Sequence, residues 1–314
     1  MAVLGVSARL ALTRSGLPSD LPDPDINPLL VNAFLALQLS GGFGLFLIVL
    51  TALGSRHVKR NATWYTFLVA WIISCISYTL VFLLGQQNAP SFGPCVTQAA
   101  GIYSAPALTS SATLAFAIDM LLGVRATSPQ RPPKRQNSIT LTLVFIPYVL
   151  WLAVFVGMLA FGVSNPAQTR IGPNGTYCDF IWDIPSKISS LITIGTTLVL
   201  LVIEGYIAIR LIRNRNLLKD RQLSAMAVRV IIFSALGALG LGVGIAYELY
   251  SIPGASFDVI MAAIPAGGAL IFGTQTDLVN VWLFWRTQAP RHAEQYDDLK
   301  SSAIPDVPTP RFES

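Results

Sequence analysis

RNATWYTFLVAWIISCISYTLVFLL, residues 60–84, opens on an arginine and then carries no charge, and none follows until Asp119. About 20 apolar residues in a row cross a bilayer as a helix, because lipid leaves backbone amides no partner except the helix itself. The stretch between Gln136 and Thr169 is also free of charge. Working outward from these, seven apolar runs stand out: 29–53, 63–84, 96–124, 139–161, 186–210, 223–249 and 259–284. They predict an all-α membrane protein, a seven-transmembrane-helix bundle over 29–285. Residues 1–28 read as an extracellular tail and 286–314 as a polar cytosolic tail, expected to be disordered.

Composition agrees with lipid as the main partner. The hydrophobic fraction is 53%, the charged fraction 12% and the mean hydropathy +0.59, outside the range of soluble globular chains. A pI near 9.2 raises nucleic acid as a partner, but the placement of the charge excludes it. Connector 54–62 holds Arg56, Lys59 and Arg60, and connector 125–138 holds Arg125, Arg131, Lys134 and Arg135. Arg210, Arg213, Arg215, Lys219 and Arg221 fall in connector 210–222, and Arg286, Arg291, Lys300 and Arg311 in the tail. Sixteen of the 21 basic residues therefore share one side, against Arg9, Arg14, Arg170 and Lys187 on the other. The positive-inside rule makes the crowded side the cytosol, with the N-terminus outside and the C-terminus inside. Met1–Leu12 lacks an uninterrupted apolar core before a small-residue cleavage site, so it reads as uncleaved tail rather than signal peptide.

Cys75 lies mid-span, as a small apolar group. Cys95, at the outer mouth of the third run, and Cys178, in the outer loop 162–183, both face an oxidising compartment. A Cys95–Cys178 disulfide that pins the loop over the bundle mouth is expected, with two unpaired thiols as the alternative. The sequon Asn174-Gly175-Thr176 lies on the outer side and Asn61-Ala62-Thr63 on the inner, so only Asn174 is expected to be glycosylated.

Ionisable groups within membrane runs are functional candidates by default. Asp119, Glu204, Arg229 and Asp277 share one inner depth, which predicts a polar cluster able to lock the cytosolic helix ends; separate interfacial solvation is the alternative. In the outer half, Tyr78, Tyr103, Ser110, Tyr247, Glu248 and Asp258 offer scattered polarity among apolar and aromatic walls, as a small-molecule pocket needs. Packing and the headgroup-level aromatic belt explain tyrosines at such depths equally well.

Nothing points to catalysis. His57 and His292 are the only histidines, and the sequence holds no Gly-x-Ser-x-Gly, His-Glu-x-x-His, Cys-x-x-Cys or P-loop. No enzyme activity, metal or cofactor is expected. The seventh run has no lysine, which argues against a retinal Schiff base there. Gly240 and Gly244 form a small-xxx-small pair, a packing signal in lipid. Pro106, Pro147 and Pro265 lie within runs, and Ala266-Gly267-Gly268-Ala269 follows the last of them as a plausible hinge.

Seven runs, an outside N-terminus, basic inner connectors and the expected outer disulfide together resemble G-protein-coupled receptors. The resemblance is nearest to the receptor-like seven-helix proteins of mushroom-type fungi, whose last helix ends on a phrase similar to Phe272-Gly273-Thr274-Gln275 through Trp282 and Trp285. It implies a cell-surface receptor in the plasma membrane that senses an extracellular small molecule or peptide and signals to a heterotrimeric G protein. Arg125, Arg131, Lys134, Arg135, Arg213, Arg215, Lys219 and Arg221 would meet that partner, although anionic lipid accounts for the same charges. The chain departs from the rhodopsin-like pattern at three places. Asp119-Met120-Leu121 replaces an Asp-Arg-Tyr triplet, the sixth run lacks proline, and Asp277-Leu278-Val279-Asn280 stands where Asn-Pro-x-x-Tyr would be. No named activation switch therefore carries over. The competing expectation is a seven-helix transporter or lipid translocator, against which stand the absence of a repeat between halves and carboxylates lying toward the two ends.

Overall fold

The computed structural model describes residues 27–55, 58, 60–87, 89–126, 134–172, 175–213, 221–250 and 255–283. Its elements are α1 (Pro28–Gly54), α2 (Ala62–Leu83), α3 (Phe92–Ala126), α4 (Lys134–Ser164), a 3-10 turn (Pro166–Gln168), β1 (Thr169–Ile171), β2 (Cys178–Phe180), α5 (Asp183–Arg213), α6 (Arg221–Tyr250), α7 (Ala255–Gly273) and α8 (Thr276–Trp282). Five of these, α1 to α5, are long and apolar enough to cross a membrane, and α7 with α8 makes a sixth if that bent pair counts as one span. In α6 the apolar segment is the shorter Ala225–Gly240.

Local chemistry sets several ends. Pro28 opens α1, where its missing N–H costs nothing, and the Asn27 side chain accepts from the Leu29 amide at 3.0 Å. Gly85 takes a left-handed φ of 69° after α2, and the Gln86 amide reaches back to the Val81 carbonyl at 3.0 Å. That closure satisfies a carbonyl the helix end would leave open, and glycine adopts it without strain. One expected run is two helices. Rather than continuing to residue 284, α7 stops at Gly273 and α8 leaves at 81°. The break falls on Gln275, whose extended backbone (φ −67°, ψ 131°) ends one helix and caps the next.

Helix α3 forms the centre, with 67% of its apolar window buried, whereas α4 and α5 bury 11% and 17% of theirs. The peripheral pair turns large apolar side chains outward, among them Phe145, Val149, Leu152, Leu191, Leu198 and Val202. Water would penalise such a continuous apolar wall; hydrocarbon does not. Inside, the Phe67 ring meets Phe116, Phe233 and Phe272 at centroid distances of 5.5, 5.3 and 5.1 Å. Such aromatic clusters contribute beyond their buried area through edge-to-face geometry. Helices α1 and α7 nearly touch at Gly41, where an added Cβ would meet the Ala266 nitrogen at 2.7 Å. Alanine there would force the two backbones apart.

β1 and β2 form an antiparallel hairpin, with Arg170 opposite Asp179 and Ile171 opposite Cys178. The hairpin sits against the N-terminal end of α3, joined to it by the Cys95–Cys178 disulfide. The expected pairing is therefore present, and Cys75 is a free, buried cysteine in α2. This hairpin end gathers the starts of α1, α3, α5 and α7. The opposite, arginine end gathers the last turns of α1, α3 and α5 and the starts of α2, α4 and α6.

Candidate functional site: a capped cavity and a polar latch

The hairpin is tied down by side chains from α3, from α7 and from the turn that follows α2. Gln98 of α3, almost fully buried, donates to the Tyr78 carbonyl at 2.9 Å and accepts from the Cys178 amide at 3.0 Å. Gln87 donates to the Gly175 and Thr176 carbonyls at 2.9 and 3.2 Å. Asp258, at the start of α7, accepts from the Thr176 hydroxyl at 3.0 Å and from the Tyr177 hydroxyl at 2.9 Å. On the other flank, Tyr103 donates to Asp179 and stacks on Phe180 at 5.5 Å. Phe34, Tyr78 and Tyr177 form a three-ring group beneath the cap. Burial raises the Tyr177 hydroxyl well above its usual value, with the nearby Asp258 charge adding to the shift. That hydroxyl stays protonated and keeps donating.

Among the helices lies a partly open cavity of about 120 Å3 lined by α1, α2, α3, α5, α6 and α7. Its walls combine Trp71, Phe233, Leu200, Met261, Ile264 and Pro265 with Gln38, Ser74, Tyr78, Thr109, Ser110, Thr113, Thr193, Thr197 and Ser234. Among the described residues no charged side chain lines it, though the Ser234 hydroxyl on its wall is bonded to Glu204. Several of its hydroxyls are bonded back to the protein. Thr109 and Thr113 donate to carbonyls one turn earlier in α3, Ser110 accepts from Thr196 at 2.8 Å, and Ser234 donates to Glu204 at 2.5 Å. A serine or threonine in a lipid-facing helix satisfies its hydroxyl this way when nothing else is offered.

Of the outer-half residues picked from sequence, Tyr78 and Ser110 line this cavity. Tyr103 and Asp258 instead hold the hairpin. The side chains of Tyr247 and Glu248 lie outside the described residues. Sequence reasoning passed over Gln38, Trp71 and Gln98. The two amides did carry a signal, since a large uncharged polar group within an apolar run needs a partner or a role.

At the arginine end Arg229 and Asp277 lie within electrostatic reach of each other and of Arg60, while Asp119 and Glu204 are held by other partners. Arg60, just before α2, pairs with Asp277 of α8 and also donates to Gln275 at 2.5 Å. Its guanidinium lies over Trp64, 5.6 Å from the ring centroid. Asp119 accepts from Thr63 at 2.8 Å and from Asn61 at 3.1 Å. Glu204 holds Ser234, one turn deeper, and Arg229 donates to the Thr274 carbonyl at 3.2 Å, where α7 ends. The base in direct contact with Asp277 is therefore Arg60, from a connector, while Arg229 feels the same charge from further off. A side chain entering from a helix start can reach across to the 81° corner, whereas Arg229 is committed to the last turn of α7. Of the partner-facing basic residues, Arg213 is exposed on α5. Arg131, Arg215 and Lys219 lie outside the described residues, as do the side chains of Arg125, Lys134, Arg135 and Arg221. So does Asn174.

Cavity and latch are joined by aromatic contacts. Trp71 and Phe233 line the cavity and meet at 5.2 Å; Phe233 meets Phe272 at 5.8 Å, three residues before Gln275 at the α7–α8 corner. No protein-family model matches the chain, and no curated protein matches it.

Proposed function

We propose that this chain is a seven-helix receptor of the plasma membrane, of the G-protein-coupled type, with the hairpin end outside and the arginine end in the cytosol. The orientation follows from sixteen basic residues on the arginine side, by the positive-inside rule. One observation carries the reading: a cavity among the helices shares Phe233 with the ring cluster next to the Arg60 latch. A ligand that moves Phe233 would act on Phe272 and thus on the corner where α8 is held. Ligand binding would then favour one of two arrangements of that corner, exposing the basic cytosolic face to a partner. The described walls of the cavity, apolar side chains interspersed with hydroxyls and an amide, favour a small neutral ligand over an ionic transported substrate.

The test is proximity between the full chain, expressed in cells, and a panel of G-protein α subunits, with and without metabolite extracts. Ligand-dependent recruitment that disappears when Arg125, Arg213, Arg215, Lys219 and Arg221 are neutralised is the expected result. No recruitment under any condition, together with altered uptake or efflux of lipophilic compounds in cells lacking the protein, would replace the receptor with a transporter or lipid translocator.

A further inference from the structure

The two ends of α5 carry charge differently. At the hairpin end Lys187 pairs with Asp183, one turn earlier, at 3.8 Å. At the arginine end Arg210 and Arg213 are both exposed, and no carboxylate among the described residues pairs with either. Glu204, the other carboxylate of the helix, is turned into the bundle, buried and bonded to Ser234. Arg210 is also held in place. Its Nε donates to the Tyr206 hydroxyl at 2.8 Å, and its guanidinium lies over that ring, 5.3 Å from the centroid. The terminal nitrogens of the fork meet no acceptor among the described residues. An arginine stacked and aimed this way suits a phosphate, whose oxygens take two parallel N–H bonds.

The surface next to the two arginines is apolar. Leu198, Val202 and Ile209 recur at helical spacing on the face that Arg213 shares, and each is more than half exposed, at 60%, 73% and 53%. Gly205 leaves a notch in that face, where an added Cβ would meet nothing within 4 Å. The rise from Val202 to Arg213 is about 16 Å, close to the roughly 15 Å of hydrocarbon in one leaflet. A basic pair set one leaflet away from the middle of an apolar stripe is complementary to a phospholipid in both length and charge.

We propose that this face of α5 docks an anionic phospholipid, its phosphate held by Arg210 and Arg213 and one acyl chain lying along Val202, Gly205 and Ile209. Two unpaired cations select an anionic headgroup over a zwitterionic one, which brings its own positive charge. Tyr206 is a positioning residue that fixes the Arg210 fork. The site does not rest on the receptor reading; only its leaflet, the cytosolic one, rests on the orientation proposed above.

The experiment uses the full chain in phosphatidylcholine nanodiscs. Cys75 is buried and Cys95 is bonded to Cys178, so an introduced Gly205→Cys is the thiol that takes a fluorophore. Quenching by brominated phosphatidylserine, against the same fraction of brominated phosphatidylcholine, reads which lipid covers the face. Gly157→Cys, exposed on α4 with nothing near its added Cβ, is the remote control. Each arginine should favour phosphatidylserine about fivefold at position 205. Arg210→Gln and Arg213→Gln should each remove that factor, and the double variant should leave the two lipids equal. Arg210→Lys keeps the charge without the fork and should lose part of the preference. Tyr206→Leu should do the same, and Tyr206→Phe, which keeps the ring, should lose less.

A preference of equal size at 205 and 157, or one at 205 that survives the double variant, would mean diffuse attraction to the whole arginine end and overturn the proposal. So would no preference at all. If the double variant then abolished recruitment of a G-protein α subunit, the two arginines would serve a protein partner instead. The expected enrichment without recruitment under any condition would keep the lipid site and reject the receptor.

Discussion

The two ends of the bundle are held by different kinds of contact. At the hairpin end the ties are many and independent: a disulfide to α3, the Gln98 bridge, Gln87 on two carbonyls, Asp258 on two hydroxyls, and Tyr103 on Asp179. Losing any one leaves the others in place. At the arginine end a single guanidinium serves both Gln275 and Asp277, while Asp119, Glu204 and Arg229 each make separate, smaller contacts. An end with one hub has two ready states, hub engaged and hub released. An end with redundant ties has one. Motion is therefore expected at the α7–α8 corner and rigidity at the hairpin, as the proposed receptor reading requires.

The largest effect should come from the covalent tie. Cys178→Ser removes a crosslink between residues 83 apart, which costs roughly 2–5 kcal/mol of stability. Thermal unfolding of the reconstituted protein should show the loss, and reductant should mimic it in the unsubstituted chain. An unchanged melting temperature would mean that the non-covalent ties alone hold the cap, making the two ends still less alike.

Next is Gln98→Leu. The Cys178 amide is buried with its partner, and removing the acceptor leaves it unpaired, at a cost of about 2 kcal/mol. Disulfide formation should persist, so free-thiol titration separates this loss from the first. A cap that survives Gln98→Leu with undiminished stability would show that Cys178 finds another acceptor.

Arg60→Ala should cost about 1–2 kcal/mol, less than the hairpin losses because Asp277 is 30% exposed and water takes over part of its solvation. Its larger signature is local. Hydrogen exchange should quicken over 274–282 and stay unchanged over 169–180. The exchanged pair, Arg60→Asp with Asp277→Arg, should restore part of the protection. Equal acceleration at both ends would break the comparison, since the hub would then be supporting the whole bundle.

The apolar runs gave the helices away because backbone self-satisfaction in lipid requires length and little else, and the ends of α1 to α6 fall within a few residues of them. The end of α7 was hidden for the same reason. Leu278, Val279, Val281 and Trp282 continue the hydropathy past Gly273, and only the tertiary reach of Arg60 to Gln275 marks the turn. Arg60 itself reads as one more loop charge. Tyr103 and Asp258 were selected for depth and chemistry, yet their partners, Asp179, Thr176 and Tyr177, come from a loop whose fold no helical pattern encodes. Gln38 was open to notice as an amide in an apolar run. Trp71, an aromatic among aromatics, carried no such mark.

The smallest effect concerns charge at the cap. Burial pushes the Asp179 carboxyl above its usual range, opposed by the Tyr103 hydroxyl, the Phe180 amide and Arg170 across the hairpin. The folded protein therefore holds this proton more tightly than the unfolded chain does. Its contribution to stability is full below the ordinary aspartate value and is lost as pH rises through the raised one. Asp179→Asn keeps an acceptor for Tyr103 and removes the titration. Melting temperatures of the two proteins, taken from acid to neutral pH, should show the unsubstituted chain losing ground to Asp179→Asn as pH rises. The opposite slope would mean that Arg170 stabilises the ionised carboxylate. The hairpin would then depend on an ion pair as the arginine end does, and the contrast between the two ends would narrow to the disulfide and the two glutamines.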